Sequence, residues 1–211
     1  MRLEARNVSF RYDRGQPCVL ENCNFTVEQG EIVGLMAPSG YGKSTLAMLL
    51  AGYLKPTKGE ILLDGEHLPE KGVCPVQLIY QHPEQAINPR WRLRKVLEEG
   101  GQIREDSDDT FDIHAFGIEK EWLERFPREL SGGELQRFCV ARALMSNPSF
   151  LICDEISTML DVITQAQIWN KICSEAQKRN MGVVAVTHNI HLAKQICSRI
   201  YDMSKGASNQ K

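Results

Sequence analysis

The stretch Pro38-Ser39-Gly40-Tyr41-Gly42-Lys43-Ser44-Thr45 follows one segment, the apolar run at residues 31–36, and leads into a second, residues 43–53. The first run is short and contains β-branched residues, which is typical of a buried strand, and the second is typical of a helix. Glycines let a backbone approach a ligand closely, and the amides at a helix N-terminus attract anions. The stretch therefore predicts a strand, a phosphate-holding loop and a helix in succession.

Within this loop, Lys43 is expected to meet the β- and γ-phosphates of a nucleotide, and Ser44 to ligate Mg²⁺. The position where such loops usually carry their first glycine holds Ala37. The tripeptide Gly-Lys-Ser/Thr alone is a weak signal, because at average residue usage it occurs by chance in about one chain in ten of this length. Its position between a strand and a helix favours phosphate binding over a plain turn.

A second apolar run ends in two acids, Phe150-Leu151-Ile152-Cys153-Asp154-Glu155. A buried strand here would place Asp154 at its carboxyl end beside the phosphate loop, where a carboxylate can hold Mg²⁺. Glu155 could orient or deprotonate the attacking water. A strand ending in a solvated acidic turn is the alternative, and the nearby phosphate loop favours the catalytic interpretation.

A third motif, Leu130-Ser131-Gly132-Gly133-Glu134-Leu135-Gln136-Arg137, opens a predicted helix. A serine and two glycines at a helix N-terminus can form a second anion site. An ordinary capped helix with Glu134 in its first turn explains the same residues equally well.

Composition excludes several classes of protein. The 211 residues are 42% apolar and 25% charged, which is typical of a soluble globular chain. The longest apolar stretch, residues 46–54, is shorter than the about 18 residues that a membrane span needs. We expect no signal peptide, because residues 1–6 carry mixed charge. The net charge of −2 provides no basic field for nucleic acid. Seven cysteines without a C-x-x-C pair predict thiols in a reducing compartment.

The order of predicted elements indicates an α/β protein with a helical insertion. Alternating apolar residues predict two strands before residue 30, and further strands follow at 60–64 and 76–80. From about residue 82 to 147 the signal is helical, at 93–99, 111–116, 121–126 and 135–145. Strands at 150–153 and 183–187 then alternate with helices at 163–179 and 190–197, which predicts a mostly parallel sheet. The acidic stretch 104–112 is expected to be exposed, and the polar tail from Ser204 to be frayed.

Together these motifs resemble the nucleotide-binding subunit of an ABC transporter. Residues 130–134 resemble the ABC signature, which other P-loop enzymes lack, and six motifs follow the family's order over roughly residues 2–203. The resemblance implies a P-loop NTPase (RecA-like) core with an N-terminal antiparallel β-subdomain and an inserted helical subdomain. It divides a single ABC ATPase domain into an α/β nucleotide-binding core at 1–82 and 148–211 and a helical subdomain at 83–147.

The resemblance assigns roles to further residues. Tyr12 is similar to the aromatic residue that stacks on adenine, and Gln81 to the Q-loop glutamine that contacts Mg²⁺ or water. Residues 158–161 resemble the D-loop, and His188 the switch histidine at the γ-phosphate. The implied catalytic residues are Glu155, His188 and Gln81, and the implied Mg²⁺ ligands are Ser44, Gln81 and Asp154. The implied ATP-binding residues are Tyr12, Ser39, Gly40, Tyr41, Gly42, Lys43, Ser44, Thr45, Ser131, Gly132 and Gly133.

Two segments point to a subfamily. Asn88-Pro89-Arg90 and residues 161–168 resemble the dipeptide, oligopeptide and nickel importer ATPases, without choosing among those substrates. The chain departs from the family pattern at Ala37, Ile156 and Thr158, which leaves the catalytic side chains in place. Few residues follow His188, so we expect the C-terminal extension of that subfamily to be absent.

The function implied is ATP binding and hydrolysis that drive an importer. Its partners would be membrane permease subunits, a second ATPase subunit (identical or paralogous) and, indirectly, an extracytoplasmic solute-binding protein; no nucleic acid is expected. The chain would lie at the cytoplasmic face of the cell membrane, peripheral through the permease. Residues 83–91, with Ile87 and Trp91, are the expected permease contact, and internal packing of this segment is the alternative.

Two other functions stay open at this point. A soluble ABC ATPase could bind ATP to rearrange a macromolecular partner outside transport, although the balanced charge argues against nucleic acid. A degenerate subunit paired with a more active one is the third possibility. The intact Lys43, Asp154, Glu155 and His188 argue against it.

Overall fold

The N-terminal part of the chain forms an antiparallel sheet in the computed structural model, which describes residues 1–101, 112–158, 160–204 and 207–210. In strand β2, Leu20, Phe25 and Val27 are buried between exposed polar neighbours, as the alternation predicts. The predicted antiparallel β-subdomain is confirmed. The strands, in the sheet order β2-β1-β4-β5, are β1 (Arg2–Phe10), β2 (Leu20–Glu28), β4 (Lys58–Leu63) and β5 (Glu66–His67).

A second sheet has six strands in the order β10-β9-β3-β8-β7-β6. Strands β3, β8 and β7 are parallel neighbours, and β9 runs parallel to β3. Every residue of β7 and β8 is buried, which explains why their sequences are apolar apart from Asp154 at the end of β7. The strands are β3 (Ile32–Met36), β6 (Val76–Ile79), β7 (Phe150–Asp154), β8 (Gly182–Val186), β9 (Arg199–Asp202) and β10 (Ala207–Gln210).

The register of this sheet aligns the carboxyl ends of three neighbouring strands. Leu35 of β3 pairs with Val186 of β8, and Val186 pairs with Asp154 of β7. The segments that follow these strands are the glycine loop, Glu155 and His188. In open parallel sheets ligands bind at this edge, so the sheet brings the predicted site residues together.

The chain divides into two compact units. The first comprises Met1–Leu78, Ser149–Glu155 and Ala176–Lys211, and contains the antiparallel sheet with helices α1 (Lys43–Leu50) and α6 (Ile190–Ile196). The second comprises Ile79–Pro148 and Ile156–Glu175. Its helices are α2 (Pro83–Ala86), α3 (Leu93–Glu98), α4 (Gly132–Met145) and most of α5 (Val162–Arg179).

The second unit has its own apolar core. Leu93 and Leu97 of α3, Phe138 of α4 and Trp169 of α5 are fully or almost fully buried. The Trp169 indole Nε1 donates a hydrogen bond to Ser157 Oγ at 3.2 Å, so the one polar atom of this side chain is satisfied inside the core.

Several predicted elements differ from those observed. The helices predicted at 111–116 and 121–126 are short 3₁₀ turns at His114–Phe116 and Lys120–Glu124. Gly117, in a left-handed conformation at φ +66°, ends the first turn. The tail from Ser204, which was predicted to be frayed, contains β10, and β10 pairs with β9. This pairing satisfies backbone groups of β9 that an open sheet edge would leave unpaired. Most of the acidic stretch 104–112 lies outside the described residues.

The seven cysteines, all within the described part of the chain, are thiols rather than disulfides. Burial raises the pKa of the Cys139 thiol to about 12. Among the residues that the structure describes, no helix has the length and apolar character required to cross a membrane.

Candidate active site

The glycine loop depends on two left-handed residues, Gly40 at φ +83° and Gly42 at φ +84°. A Cβ on Gly42 would lie 2.9 Å from Leu20 Cδ2 and 3.0 Å from Val19 Cγ1, so there is no space for a side chain. The left-handed backbone at this position also favours glycine over any other residue. Ala37 is not among the residues with positive φ, so alanine in place of the usual glycine causes no backbone strain.

Lys43 begins α1, and its side chain is buried against the loop. Its Nζ donates hydrogen bonds to the carbonyl oxygens of Ala37 at 3.0 Å and Pro38 at 3.3 Å. These acceptors are backbone carbonyl groups, so no side-chain pattern in the sequence predicts them. They hold the ammonium group at the loop by contacts that phosphate oxygens can replace.

Asp154, at the end of β7, is a buried carboxylate beside the loop. It accepts a hydrogen bond from the Ser44 hydroxyl, and its Oδ1 has no hydrogen-bond partner among the described residues. Burial raises the pKa of Asp154, and Glu155 adds to the rise, whereas Ser44 and the Lys43 charge oppose it. Mg²⁺ prefers hard oxygen ligands, so a hydroxyl beside a buried carboxylate oxygen without a partner fits this ion.

Glu155 lies between two nitrogen groups at the edge of the sheet. Its Oε1 lies 3.9 Å from Lys43 Nζ and its Oε2 lies 3.6 Å from His188 Nδ1. The Glu155 side chain is 18% exposed and that of His188 is 66% exposed, so the pair opens to solvent through the histidine. The Glu155 backbone is left-handed at φ +48°, and its N–H donates to Val186 O at 3.1 Å. A strained backbone thus positions a carboxylate that a water molecule can reach.

Tyr12 and Thr45 meet at the other side of the loop. The Tyr12 hydroxyl and Thr45 Oγ1 are 3.1 Å apart and share a hydrogen bond. The Tyr12 ring packs edge-to-face on Phe10, with centroids 5.0 Å apart, and 53% of the residue is exposed. An exposed aromatic face tied to the phosphate loop is suited to stacking on a base. Ser39 and Tyr41 of the loop are exposed as well.

In the second unit, Ser131 caps helix α4. Ser131 Oγ accepts a hydrogen bond from the Glu134 backbone at 3.3 Å, and Glu134 Oε2 accepts from the Ser131 backbone at 2.7 Å. The Ser131 hydroxyl also donates to Glu134 Oε2 at 2.8 Å. These bonds hold the pKa of Glu134 below its usual range. The capped-helix interpretation therefore describes what Ser131 does here, and anion binding by Ser131, Gly132 and Gly133 stays a prediction.

The other predicted residues of the second unit occupy connecting segments. Gln81 is half-buried and follows β6. Asp161 Oδ1 accepts hydrogen bonds from the backbones of Ile163 and Thr164, both at 3.0 Å, and so begins α5. Met159 of the predicted D-loop lies outside the described residues. The structure thus brings Tyr12, Lys43, Ser44, Thr45, Asp154, Glu155 and His188 together in the first unit, and Gln81 and Ser131–Gly133 belong to the second.

Comparison with known proteins gives a family. The model of the ABC transporter family matches residues 20–158. The nickel import system ATP-binding protein NikE of Staphylococcus aureus (strain bovine RF122 / ET3-1) is 35% identical over 97% of this chain and 87% of its own length. The same protein from strain USA300 has the same identity and coverage.

Solved structures have the same fold. The dimeric post-hydrolysis state of the ATP-binding cassette MJ0796, bound to ADP and Pi, superposes with a TM-score of 0.82 at 25% identity. That comparison covers 99% of this chain and 98% of the cassette. A second dimeric structure of the MJ0796 cassette gives a TM-score of 0.82 at 24% identity, with the same coverage. The predicted α/β P-loop architecture is confirmed.

Proposed function

The chain belongs to the ABC transporter family, and we propose that it is the ATP-hydrolysing subunit of an importer. The observation that carries this proposal is the position of Glu155, a solvent-accessible carboxylate between Lys43 and His188. Asp154 and Ser44 lie at the same edge of the sheet, beside the glycine loop. A phosphate loop, a metal-binding carboxylate and a base are the parts that phosphoryl transfer to water requires.

Mg²⁺ is the metal that the site fits. Ser44 and Asp154 would hold it through oxygen atoms, and Gln81 is the third ligand that we propose. When bound, the ion neutralises charge on the phosphate oxygens. Asp154 Oδ1 is a ready ligand because it lacks a hydrogen-bond partner within the described residues.

Four residues of the first unit would bind ATP or take part in its hydrolysis, namely Lys43, Tyr12, Glu155 and His188. Lys43 exchanges the carbonyl oxygens of Ala37 and Pro38 for phosphate oxygens, and Tyr12 stacks on the adenine. Glu155 accepts a proton from water as the water oxygen bonds to the γ-phosphorus and the bond from that phosphorus to the ADP oxygen breaks. His188 contacts the γ-phosphate and steadies Glu155.

A second ATPase subunit, identical or paralogous, would complete each site with its Ser131 and Gly133. To donate to a phosphate, the Ser131 hydroxyl must give up its hydrogen bond to Glu134. Because two half-sites share one nucleotide, bound ATP would hold the two subunits together, and hydrolysis would let them separate. The dimeric state of the MJ0796 cassette supports this arrangement. Residues 1–82 and 148–211 would form the nucleotide-binding core and 83–147 the helical subdomain.

The transport assignment is supported by the nickel import relatives and by the importer-like segments of the sequence. We propose nickel, as an ion or a small complex, or a short peptide as the cargo, which a solute-binding protein would deliver to the permease. The chain would then lie at the cytoplasmic face of the membrane.

Only part of the proposed permease contact at residues 83–91 is exposed. Ile87 is 4% exposed, so for this residue internal packing is the correct interpretation. Trp91 is half-buried beneath the Lys95 ammonium, 4.2 Å from the ring centroid. The exposed residues of the segment, Glu84, Gln85, Asn88, Pro89 and Arg90, are the part that a permease could contact.

The test is Glu155→Gln, with Glu66→Gln as a control at an exposed carboxylate of β5. Loss of the base should slow ATP hydrolysis about 100-fold or more while ATP still binds. Size-exclusion chromatography with Mg-ATP should then show the inactive variant as a dimer, or as a monomer that dimerises only when a paralogue is added. Hydrolysis by Glu155→Gln at the parent rate would exclude Glu155 as the base.

A further inference from the structure

A cavity of about 480 Å³ opens in the second unit between the turn His114–Phe116, helix α4 and helix α5. None of its lining residues, all of them described, is acidic, and none is among those proposed to bind ATP. Two cationic side chains, Arg137 of α4 and Lys171 of α5, form part of the wall. The cavity therefore presents positive charge to its interior.

Arg137 is held in a fixed position. Its Nη1 donates to Phe116 O at 3.0 Å and its Nη2 donates to Gln167 Oε1 at 3.1 Å. A Cβ on Gly117 would lie 2.1 Å from Nη1, so this glycine lets the guanidinium approach the turn. A guanidinium has five N–H donors, and these two hydrogen bonds use two of them. Donors thus remain for a ligand in a group already oriented by neutral acceptors.

Lys171 is held against the same turn. Its ammonium lies 4.8 Å from the centroid of the Phe116 ring and 3.1 Å from Glu175 Oε1. The Glu175 side chain is 9% exposed and does not line the cavity, so the wall presents the ammonium rather than the carboxylate. Phe116 organises both cations, since its carbonyl binds Arg137 and its ring lies beneath Lys171.

Neutral hydrogen-bond donors complete the wall. Asn170 and Ser174, whose side chains carry an amide and a hydroxyl, line the cavity beside Lys171, one turn apart on α5. We propose that this cavity binds a phosphate group, either as inorganic phosphate or as a small phosphomonoester. Arg137 lies on α4, and Lys171, Asn170 and Ser174 lie on α5, so the wall offers donors to a phosphate group from two helices. The volume leaves room for an organic substituent on the phosphate.

The experiment measures phosphate binding to the full chain by ligand-observed ³¹P NMR. The chain carries Lys43→Ala, which weakens phosphate binding at the glycine loop and so separates the two sites. We expect saturable binding that Lys171→Met weakens about tenfold, equivalent to 1.4 kcal/mol. Lys194→Met, which removes an exposed cation on α6, should leave the affinity unchanged. Binding that is equal in these variants would overturn the proposal.

A second variant guards against misfolding. Asn170 is exposed, so Asn170→Asp should fold normally and place a carboxylate in the wall, which should abolish phosphate binding. Unchanged binding by this variant would also overturn the proposal. Titration with glycerol phosphate identifies the source: tighter binding than inorganic phosphate supports an ester ligand, and equal binding supports phosphate itself. Acetate that competes equally well would show a general anion site and refute the choice of phosphate. The result is independent of ATP hydrolysis, because no lining residue belongs to the proposed active site.

Discussion

Replacing Gly42 by alanine tests how the phosphate loop is built, and Gly40→Ala is its matched control. Both glycines are left-handed, so alanine costs about 1–2 kcal/mol of backbone strain at either position. They differ in space: a Cβ on Gly42 would meet two side-chain carbons and Val19 O, whereas nothing lies within 4 Å of one on Gly40. Overpacking adds about 1–3 kcal/mol, so Gly42→Ala should be the more destabilising substitution by that amount.

Thermal unfolding without nucleotide measures this difference. For a chain of this size each kcal/mol lowers Tm by about 2–4 °C, so Gly42→Ala should melt roughly 2–12 °C below Gly40→Ala. Ala37→Gly provides a third comparison. Since Ala37 is not left-handed, glycine there should gain nothing and should cost about 0.5–1 kcal/mol in entropy. Equal Tm values for the Gly42 and Gly40 variants, or stabilisation by Ala37→Gly, would refute this account of the loop.

Three further predictions concern individual side chains. The free energy of unfolding, measured in urea, should be about 0.5–1 kcal/mol higher for Glu155→Gly than for Glu155→Gln, because glycine adopts the left-handed backbone without strain. A glycine variant that is less stable than the glutamine variant would show that the Glu155 backbone is not strained. Tyr12→Phe keeps the ring but loses the hydrogen bond at 3.1 Å, so ATP affinity should fall less than in Tyr12→Ala by equilibrium binding; equal losses would exclude stacking. Because the pKa of Cys139 is raised to about 12, this thiol stays protonated from pH 7 to 9. Mass spectrometry should therefore show that iodoacetamide labels Cys139 far more slowly than the half-buried Cys18, and equal labelling would contradict the burial of Cys139.

Local sequence was sufficient for the elements around the glycine loop. Residues 31–36 and 43–53 predict a strand and a helix, and the structure has β3 at Ile32–Met36 and α1 at Lys43–Leu50. A continuous apolar run before a glycine loop has few alternatives, because the strand must be buried on both faces. The apolar run that ends at Asp154 is equally informative, and β7 ends at that residue.

The region between the two core segments was predicted less well. Short apolar runs near residues 111–126 satisfy a helical period, yet they form 3₁₀ turns. A few residues cannot stabilise an isolated α-helix, so packing and the left-handed Gly117 decide their conformation. The four-residue helix α2 was not predicted, because so short a segment has no distinct pattern of its own.

The sequence by itself determined which chemical groups this protein has and the order in which strands, loop and helices present them. Motif spacing is local information, since it depends on neighbouring φ and ψ angles and on side-chain periodicity. Only the tertiary structure decided that Lys43 lies 3.9 Å from Glu155, that Tyr12 bonds Thr45, and that Ala37 needs no left-handed backbone. The contact between Lys43 and Glu155 arises because the parallel strands β3, β8 and β7 pair in one register, and strand register is set by long-range packing that no single segment encodes.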